Sequence, residues 1–291
     1  MQIVSIQSLV DAAEETGQAV WQVVLADEEQ CSGASFETIR AKLEATYRAM
    51  QDAALGGLSS ELRSVSGLTG GDAAKYYNRY KNQKALLGPL AAKAVAYAVA
   101  TTEYNAAMGV IVASPAASAA GILPGVLIAA QREYNLSDKE IINGLLTASG
   151  VGCVLANRAS LSGRVGGCQA ECGSAGAMAA AALCEVCGGT PRQTAHAAAL
   201  ALKNALGLVC DPVAGLVEIP CVKRNGIFAA IAITAADMAL AGVESFIPPD
   251  EVIDTMYQIG LAMPVCFRET GEGGLAISPT GLRAKKQLFK E

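Results

Sequence analysis

Cysteine is the residue type in this sequence with the most chemical potential, because nine cysteines occur among 291 residues. The N-terminal stretch MQIVSIQSLVDAAEETG lacks the basic start of a signal peptide, so we expect a chain that stays in a reducing cytoplasm. Disulfides are disfavoured there, and clustered thiols point to metal binding or catalysis. The spacing of the cysteines therefore decides how they are interpreted.

Two close cysteine pairs stand in the middle of the chain. Cys184 and Cys187 form a C-x-x-C motif at the end of a predicted helix, which is the strongest metal or redox signal on spacing alone. A zinc site would need a second such motif, and a thioredoxin-like role would need a βαβ context; neither is present in the sequence. Cys168 and Cys172 are four residues apart, one helical turn, and follow two glycines.

A third pair, Cys210 and Cys221, lies in the stretch GLVCDPVAGLVEIPC, each beside a proline-containing dipeptide. Proline should keep both residues out of helix and leave neighbouring N–H groups free to bond cluster sulfides. Spacing alone gives a metal or iron–sulfur site and purely structural thiols equal weight. The other three cysteines are interpreted as small buried side chains: Cys31, Cys153 and Cys266.

The sequence holds one histidine, His196, within QTAHAAALALKN. Histidine is the most frequent general base, but alanine and leucine dominate this helix. A hydrogen-bonded core or surface histidine is the favoured interpretation, and a catalytic base is the weaker alternative.

A glycine-rich loop, SGLTGGD over 66–72, is a candidate site for a carboxylate, with a flexible loop that binds nothing as an equal alternative. The candidate contacts are hydroxyl and backbone N–H groups of Ser66, Thr69, Gly70 and Gly71. Asn105 stands among apolar residues, where an amide needs a partner if it is buried. We expect it either to hydrogen-bond in the core or to contact a ligand.

Helix signals recur along the chain and no alternating strand pattern is convincing, so the sequence predicts an all-α fold. SDKE gives a capping box from Ser137 to Glu140, and Thr190 followed by proline opens another helix. Glycine- and proline-rich loops separate the helices. Residues 1–60 are predicted to form an N-terminal helical segment, and residues 61–291 one large multi-helix domain.

Composition and charge exclude some classes of function. The net charge is −5 and no block of lysine and arginine occurs, which argues against nucleic-acid binding. Apolar residues make up 52% of the chain, and the 28 residues 104–131 carry no charge, enough to span a bilayer. Two prolines and several polar residues interrupt that stretch, so a buried soluble core is favoured over a membrane segment.

The chain over about 60–285 resembles the α subunit of iron–sulfur-dependent L-serine dehydratases. Seven motifs carry the resemblance in the family's order: SGLTGGDAAK, MGVIVASPAASAAGILPGVL, GGCQAECGSAGAMAAAAL, CEVCGGTPRQTAHAA, LGLVCDPVAGLVEIPCVKRN, MALAGVESFIPPDEVI and ETGEGGLAISPTG. They cover about three quarters of the chain, which makes a chance match implausible.

The resemblance implies that Cys168, Cys210 and Cys221 hold a [4Fe–4S] cluster inside the 61–291 domain, and that the C-x-x-C motif is structural. Three thiolates would leave one iron open to act as a Lewis acid on the hydroxyl oxygen of L-serine. The implied reaction is deamination of L-serine to pyruvate and ammonia, a step of amino-acid degradation and gluconeogenesis.

The resemblance also implies a partner. In that family the candidate base is a histidine in a Ser-His-Thr motif of the β domain, and this sequence contains no such motif. A β subunit is therefore expected to supply the base in a heterodimer. Ala116 and Ser118 depart from the family's usual Thr and Gly, which leaves strict serine specificity open. A cysteine desulfidase-type lyase and a non-enzymatic helical membrane or scaffold protein remain the alternatives.

Overall fold

The computed structural model describes residues 3–290, and over that range the chain folds into helices without a single strand. The predicted all-α class is confirmed. Thirteen α-helices follow one another: α1 (Ile6–Thr16), α2 (Val20–Ser32), α3 (Phe36–Gly56), α4 (Asp72–Asn82), α5 (Gly88–Ala106), α6 (Ile122–Tyr134), α7 (Asp138–Arg158), α8 (Gly163–Gly166), α9 (Ser174–Val186), α10 (Pro191–Lys203), α11 (Cys221–Leu240), α12 (Pro249–Ala262) and α13 (Pro279–Phe289).

The helix starts expected from the sequence are present. The Ser137 hydroxyl accepts from the amide of Glu140 while the Glu140 carboxylate accepts from the amide of Ser137, which closes the capping box at α7. Thr190 and Gln193 form the same arrangement at α10, with Pro191 as the first helical residue. These local bonds satisfy amides that no helical carbonyl can reach.

Helix α9 is the centre of the core. Its sequence SAGAMAAAALCEV is buried continuously from Ser174 to Cys184, and it packs on α6, α7, α10 and α11. Small side chains let the helices approach closely. At Gly125 in α6, a Cβ atom would lie 2.8 Å from the Ala94 carbonyl oxygen in α5, so that crossing depends on glycine.

The N-terminal helices share this core. Buried side chains of α1, α2 and α3 belong to the same apolar cluster as those of α7, α9 and α10. The division into 1–60 and 61–291 stays a prediction. One polar link is notable: the Glu185 carboxylate at the end of α9 accepts hydrogen bonds from the amides of Val20 (2.6 Å) and Trp21 (3.4 Å) at the start of α2.

Glu185 should make stability depend on pH. Burial raises its pKa from 4.5 to about 7, so the folded chain holds this proton at pH values where the unfolded chain has released it. The contribution is complete below 4.5 and lost as pH rises through 7, at no more than about 1.4 kcal/mol per pH unit.

Urea unfolding between pH 4.5 and 7 tests this expectation, with Glu185→Gln as the comparison. The variant should lack this part of the pH slope, and its difference from the wild type should be constant outside the window. Parallel pH profiles for the two proteins would contradict the assignment.

The uncharged stretch 104–131 is not one continuous helix. It holds the end of α5, an irregular loop with a 3₁₀ turn at Ala117–Ala119, and most of α6. Within residues 3–290 one helix, α7, is long and apolar enough to cross a membrane by length and composition. Two thirds of its most apolar window is buried, as in a core helix of a soluble protein.

Candidate metal centre

The structure brings Cys168, Cys210 and Cys221 into one buried region although they come from three separate segments. Their exposed fractions are 1%, 3% and 4%. Cys168 and Cys221 lie near enough to Cys210 to raise its pKa, and Cys168 lies near enough to Cys221 to raise the pKa of Cys221. Burial, followed by the charges of Cys168 and Glu171, raises the pKa of Cys221 to about 12. Cys210 and Cys221 therefore stay protonated until a cation or hydrogen bond favours the thiolate.

Cys168 precedes a π turn, Gln169–Gly173, that leads into α9. The wholly buried Gln169 fixes this turn: its amide nitrogen donates to the Met256 carbonyl (2.9 Å), and its oxygen accepts from the Gly207 amide (2.9 Å). The first thiol is thereby tied to α12 and to the turn after α10. A single side chain thus positions the segment against two others.

Cys210 is held outside any helix by backbone bonds. Its amide donates to the Phe267 carbonyl (2.8 Å), and its carbonyl accepts from the Glu269 amide (3.1 Å). The neighbouring Asp211 carboxylate accepts from Arg224 (2.9 Å) and from the Leu275 amide (2.8 Å). The second thiol is therefore fixed between the 265–275 segment and α11.

Cys221 is the first residue of α11, so the expectation that its proline excludes it from helix is wrong. Proline before a helix is compatible with it, because the first helical amides need no carbonyl partner. The wholly buried Asn225 secures this helix start. Its amide nitrogen donates to the carbonyls of Cys221 (2.9 Å) and Ser118 (2.7 Å), and its oxygen accepts from the Gly121 amide (2.9 Å).

A fourth thiol, Cys172, adjoins the predicted three. Its Sγ atom lies 3.4 Å from that of Cys168, and it is wholly buried. The hydrogen bond between the two lowers the pKa of Cys168 against the opposing effect of burial, with Arg224 adding to the decrease. A thiolate is therefore favoured at this hydrogen-bonded pair of thiols.

Glu171 is a site residue that sequence reasoning missed. Its side chain is 5% exposed, accepts from the Ser118 hydroxyl (2.7 Å), and lies 3.7 Å from Cys210 Sγ. Burial raises the pKa of this carboxyl. A Cβ atom on Gly163 would come within 2.7 Å of it, so glycine makes room for the carboxylate. The sequence signal that could have identified Glu171 as a site residue was its position between Cys168 and Cys172 in the stretch GGCQAECG.

Thiols are the ligand type that an iron–sulfur cluster requires. Across residues 3–290, no three His, Cys, Asp or Glu side chains converge on a point that could hold one metal ion. A cluster binds its thiolates through different iron atoms, so its ligands need not converge. Buried thiols from three segments, with the Arg224 cation beside them, match that requirement in chemistry and location.

The glycine-rich loop lies against the start of α11. Lys223, two residues after Cys221, donates to the Thr69 hydroxyl (3.1 Å) and pairs with Asp72 (2.7 Å). The Ser66 hydroxyl donates to Glu218 (2.7 Å), in the segment that leads to Cys221. The predicted carboxylate loop and the cysteine group therefore adjoin each other.

Part of the anion-binding capacity of this loop is already used. The wholly buried Glu103 carboxylate accepts from the amides of Asp72 (3.1 Å) and Ala73 (3.2 Å) at the start of α4. Gly70 and Gly71 have φ angles of 135° and 78°, which glycine adopts without strain. Asn105 is half-buried at the end of α5, next to Ala106, whose carbonyl accepts from the loop residue Val65 (3.1 Å). Ligand binding by these residues stays a prediction.

Two other sequence candidates lie away from the cysteine group. His196 uses its Nδ1 atom to accept from the Ser245 amide (3.1 Å), a bond that fixes the loop after α11. Cys184 and Cys187 are at the far end of α9, about 18 Å along the helix from Cys172. Cys184 is buried and Cys187 is exposed, and the structure keeps this motif apart from the three predicted ligands.

The interpretation of the last three cysteines as buried side chains is wrong. Cys31 and Cys153 are exposed, and Cys266 is half-buried. Cys31 and Cys153 line a cavity of about 460 Å³ between α2, α3 and α7, where small side chains on α7 leave space. An isolated cysteine is buried only if its face of the helix meets the core, and the faces that carry Cys31 and Cys153 do not meet it.

Comparisons with known proteins agree with the motifs. The family described as "Serine dehydratase alpha chain" matches residues 15–276. The chain is 50% identical over 285 residues to the "Probable L-serine dehydratase, alpha chain" of Bacillus subtilis (strain 168), covering 98% of this chain and 95% of that one. Identity to the "L-serine dehydratase, alpha chain" of Peptoniphilus asaccharolyticus is 44% over 285 residues, 98% of each chain.

Longer relatives match only in part. The "L-serine dehydratase" of Mycobacterium bovis (strain ATCC BAA-935 / AF2122/97) is 48% identical over 186 residues, which are 62% of this chain and 40% of that protein. More than half of that relative lies outside the matched region.

Proposed function

Because the chain belongs to the serine dehydratase alpha chain family, we propose that it is the cluster-carrying subunit of an enzyme that deaminates L-serine to pyruvate and ammonia. The observation that carries this proposal is the gathering of Cys168, Cys210 and Cys221 in one buried region. These three thiols would hold a [4Fe–4S] cluster, which when bound supplies a Lewis acid for the hydroxyl of serine.

The chain's own residues would bind and orient the amino acid. The loop of Ser66, Thr69, Gly70 and Gly71 offers hydroxyl and amide donors, and Lys223 places a cation beside it. Together they suit a substrate carboxylate. Because the Lys223 ammonium sits two residues after Cys221, a carboxylate held here lies near the thiols.

Removal of the α-proton requires a base that we assign to another subunit. His196 already accepts a structural hydrogen bond at Nδ1. Two relatives that match over 98% of this chain are named alpha chains. In the Mycobacterium bovis relative the match covers 40% of the protein, so the other 60% lies outside it. We infer that a partner β subunit supplies that region, including the base, and that the assembly works in the cytoplasm.

Anaerobic reconstitution with iron and sulfide tests this function. The isolated chain should bind iron and sulfide but form no pyruvate from L-serine, and adding the β subunit should start turnover. Pyruvate formation by the isolated chain would refute the need for a partner. Absence of bound iron and sulfide under air-free conditions would refute the cluster.

The same assay separates the alternative lyase. L-cysteine would give pyruvate, ammonia and sulfide by the corresponding elimination, so released sulfide is the readout. The departure at Ser118 makes the comparison worthwhile, because this hydroxyl donates to Glu171 beside the thiols. Turnover of L-cysteine at rates well above those of L-serine would favour the desulfidase-type reaction.

A further inference from the structure

The last part of the chain forms a surface layer over the cysteine group. We define the C-terminal layer as residues 261–290, which contain two 3₁₀ turns, Val265–Phe267 and Gly274–Ile277, and helix α13. Backbone bonds join it to Cys210 through Phe267 and Glu269. The Leu275 amide adds a bond to the Asp211 carboxylate. Whatever covers this layer therefore sits directly beside the proposed cluster ligands.

The C-terminal layer exposes large apolar side chains and buries few of its own residues. Gly281 is the one buried residue of α13, and the Val265–Phe267 turn has none. An amphipathic helix of eleven residues is marginal in water without an apolar partner. Large apolar side chains are exposed by 38–67% across the layer and the adjoining α8: Val165, Leu261, Val265, Leu275, Ile277 and Leu282.

These side chains lie on segments that pack against one another: α8 on α12, and the Gly274–Ile277 turn on α13. A Cβ atom on Gly260 would lie 3.6 Å from the Val165 carbonyl oxygen, which places α8 against the end of α12. A Cβ atom on Gly273 would lie 3.0 Å from the Phe267 ring, which joins the two 3₁₀ turns. Large apolar side chains exposed on neighbouring segments are typical of protein interaction sites.

The charge of the layer differs from that of the chain. The whole chain carries a net charge of −5, whereas residues 261–290 carry five positive and two negative side chains, a net charge of +3. The two carboxylates are Glu269 and Glu272, and α13 with its C-cap residue carries only positive side chains: Arg283, Lys285, Lys286 and Lys290. Electrostatic complementarity favours an acidic surface on the partner. An apolar centre with a charged rim is the usual arrangement of an interface.

We propose that the C-terminal layer is the docking surface for the β subunit, and that the facing surface of that subunit combines apolar side chains with an acidic rim. The inference rests on the proposed function for the identity of its occupant. A subunit seated here would reach the thiols across Cys210 and Asp211, which the layer contacts directly. A second copy with its α13 seated on this one would instead bring positive side chains together.

The experiment measures binding of the purified β subunit to the full chain by biolayer interferometry. Val265→Glu and Ile277→Glu each place a charge in the apolar centre, and we expect each to weaken binding by about 30-fold or more. Leu86→Glu is the matched control, because Leu86 is 95% exposed but lies between α4 and α5. Replacing Lys285 and Lys286 with glutamate reverses the charge at these two positions. This double variant should bind the β subunit more slowly, and its association rate should depend less on salt concentration.

Several results would overturn the docking surface. They are absence of binding by the wild type, unchanged affinity for Val265→Glu and Ile277→Glu, and equal loss for Leu86→Glu. If the wild type is a dimer by ultracentrifugation and Val265→Glu dissociates it without affecting the β subunit, the occupant is a second copy. Unfolding curves exclude misfolding of the variants. If Val265→Glu and Ile277→Glu lose binding selectively but the wild-type assembly contains no iron and shows no turnover, the proposed function is refuted while the docking surface is supported.

Discussion

Replacing Cys168, Cys210 or Cys221 with serine should remove the cluster from anaerobically reconstituted protein and abolish turnover with the β subunit. Each thiol is almost completely buried, and each comes from a different segment. Serine is similar in size to cysteine, but its hydroxyl binds iron far less readily than a thiolate does. We expect iron and sulfide to fall to near zero in each of the three variants.

Iron and sulfide counts, with the visible absorption of the cluster, provide the measurement. Cys184→Ser is the matched control, because Cys184 is equally buried but belongs to the C-x-x-C motif at the other end of α9. This control should retain the full count. Loss of iron in Cys184→Ser with retention in Cys168→Ser would reverse the assignment and make the C-x-x-C motif the metal site.

Cys172 tests a different property of the same group. Its Sγ atom lies 3.4 Å from that of Cys168, and a hydrogen bond from the Cys172 thiol to a Cys168 thiolate accounts for the lowered pKa of Cys168. Cys172→Ser preserves a donor, and we expect it to keep its iron. If it loses iron as completely as Cys168→Ser, four thiolates hold the cluster, and no iron is left open for the substrate.

Much of the fold was predictable because its signals are local. The capping boxes at Ser137 and Thr190 involve residues three positions apart, and the alanine-rich α9 is apolar all round, as a central helix must be. The cysteine group was less accessible. Spacing alone gave the strongest signal to Cys184 and Cys187, and only the resemblance selected Cys168, Cys210 and Cys221, which the structure brings together, from the other candidates.

The polar support of the site could not be predicted, because its partners are distant in sequence. Glu103 binds amides at the start of α4, 31 residues earlier, and Ser118 binds Glu171 across 53 residues. A carboxylate in a sequence gives no sign of whether it will be buried. The exposure of Cys31 and Cys153 could not be predicted for the same reason, because it depends on how α2, α3 and α7 pack together.

Asn225 is the buried polar residue whose loss should cost the most. Asn225→Leu conserves volume but leaves the Gly121 amide and the Ser118 carbonyl without their partner, and removes one bond from Cys221. Each buried group left unpaired costs about 1–3 kcal/mol. We expect the iron-free chain to lose about 3 kcal/mol of unfolding free energy, measured by urea denaturation.

Asn82→Leu is the control, because Asn82 is exposed and its side chain bonds only within α4. Its effect should stay within about 0.5 kcal/mol. Asn225→Asp adds a second comparison: it can still accept from Gly121 but places an oxygen against two carbonyls, so it should also be destabilised. Because Asn225 joins the start of α11 to the 118–121 segment, both Asn225 variants should retain less iron than the control. Wild-type stability in Asn225→Leu would mean that this helix start, and with it the place of Cys221, is fixed by other contacts.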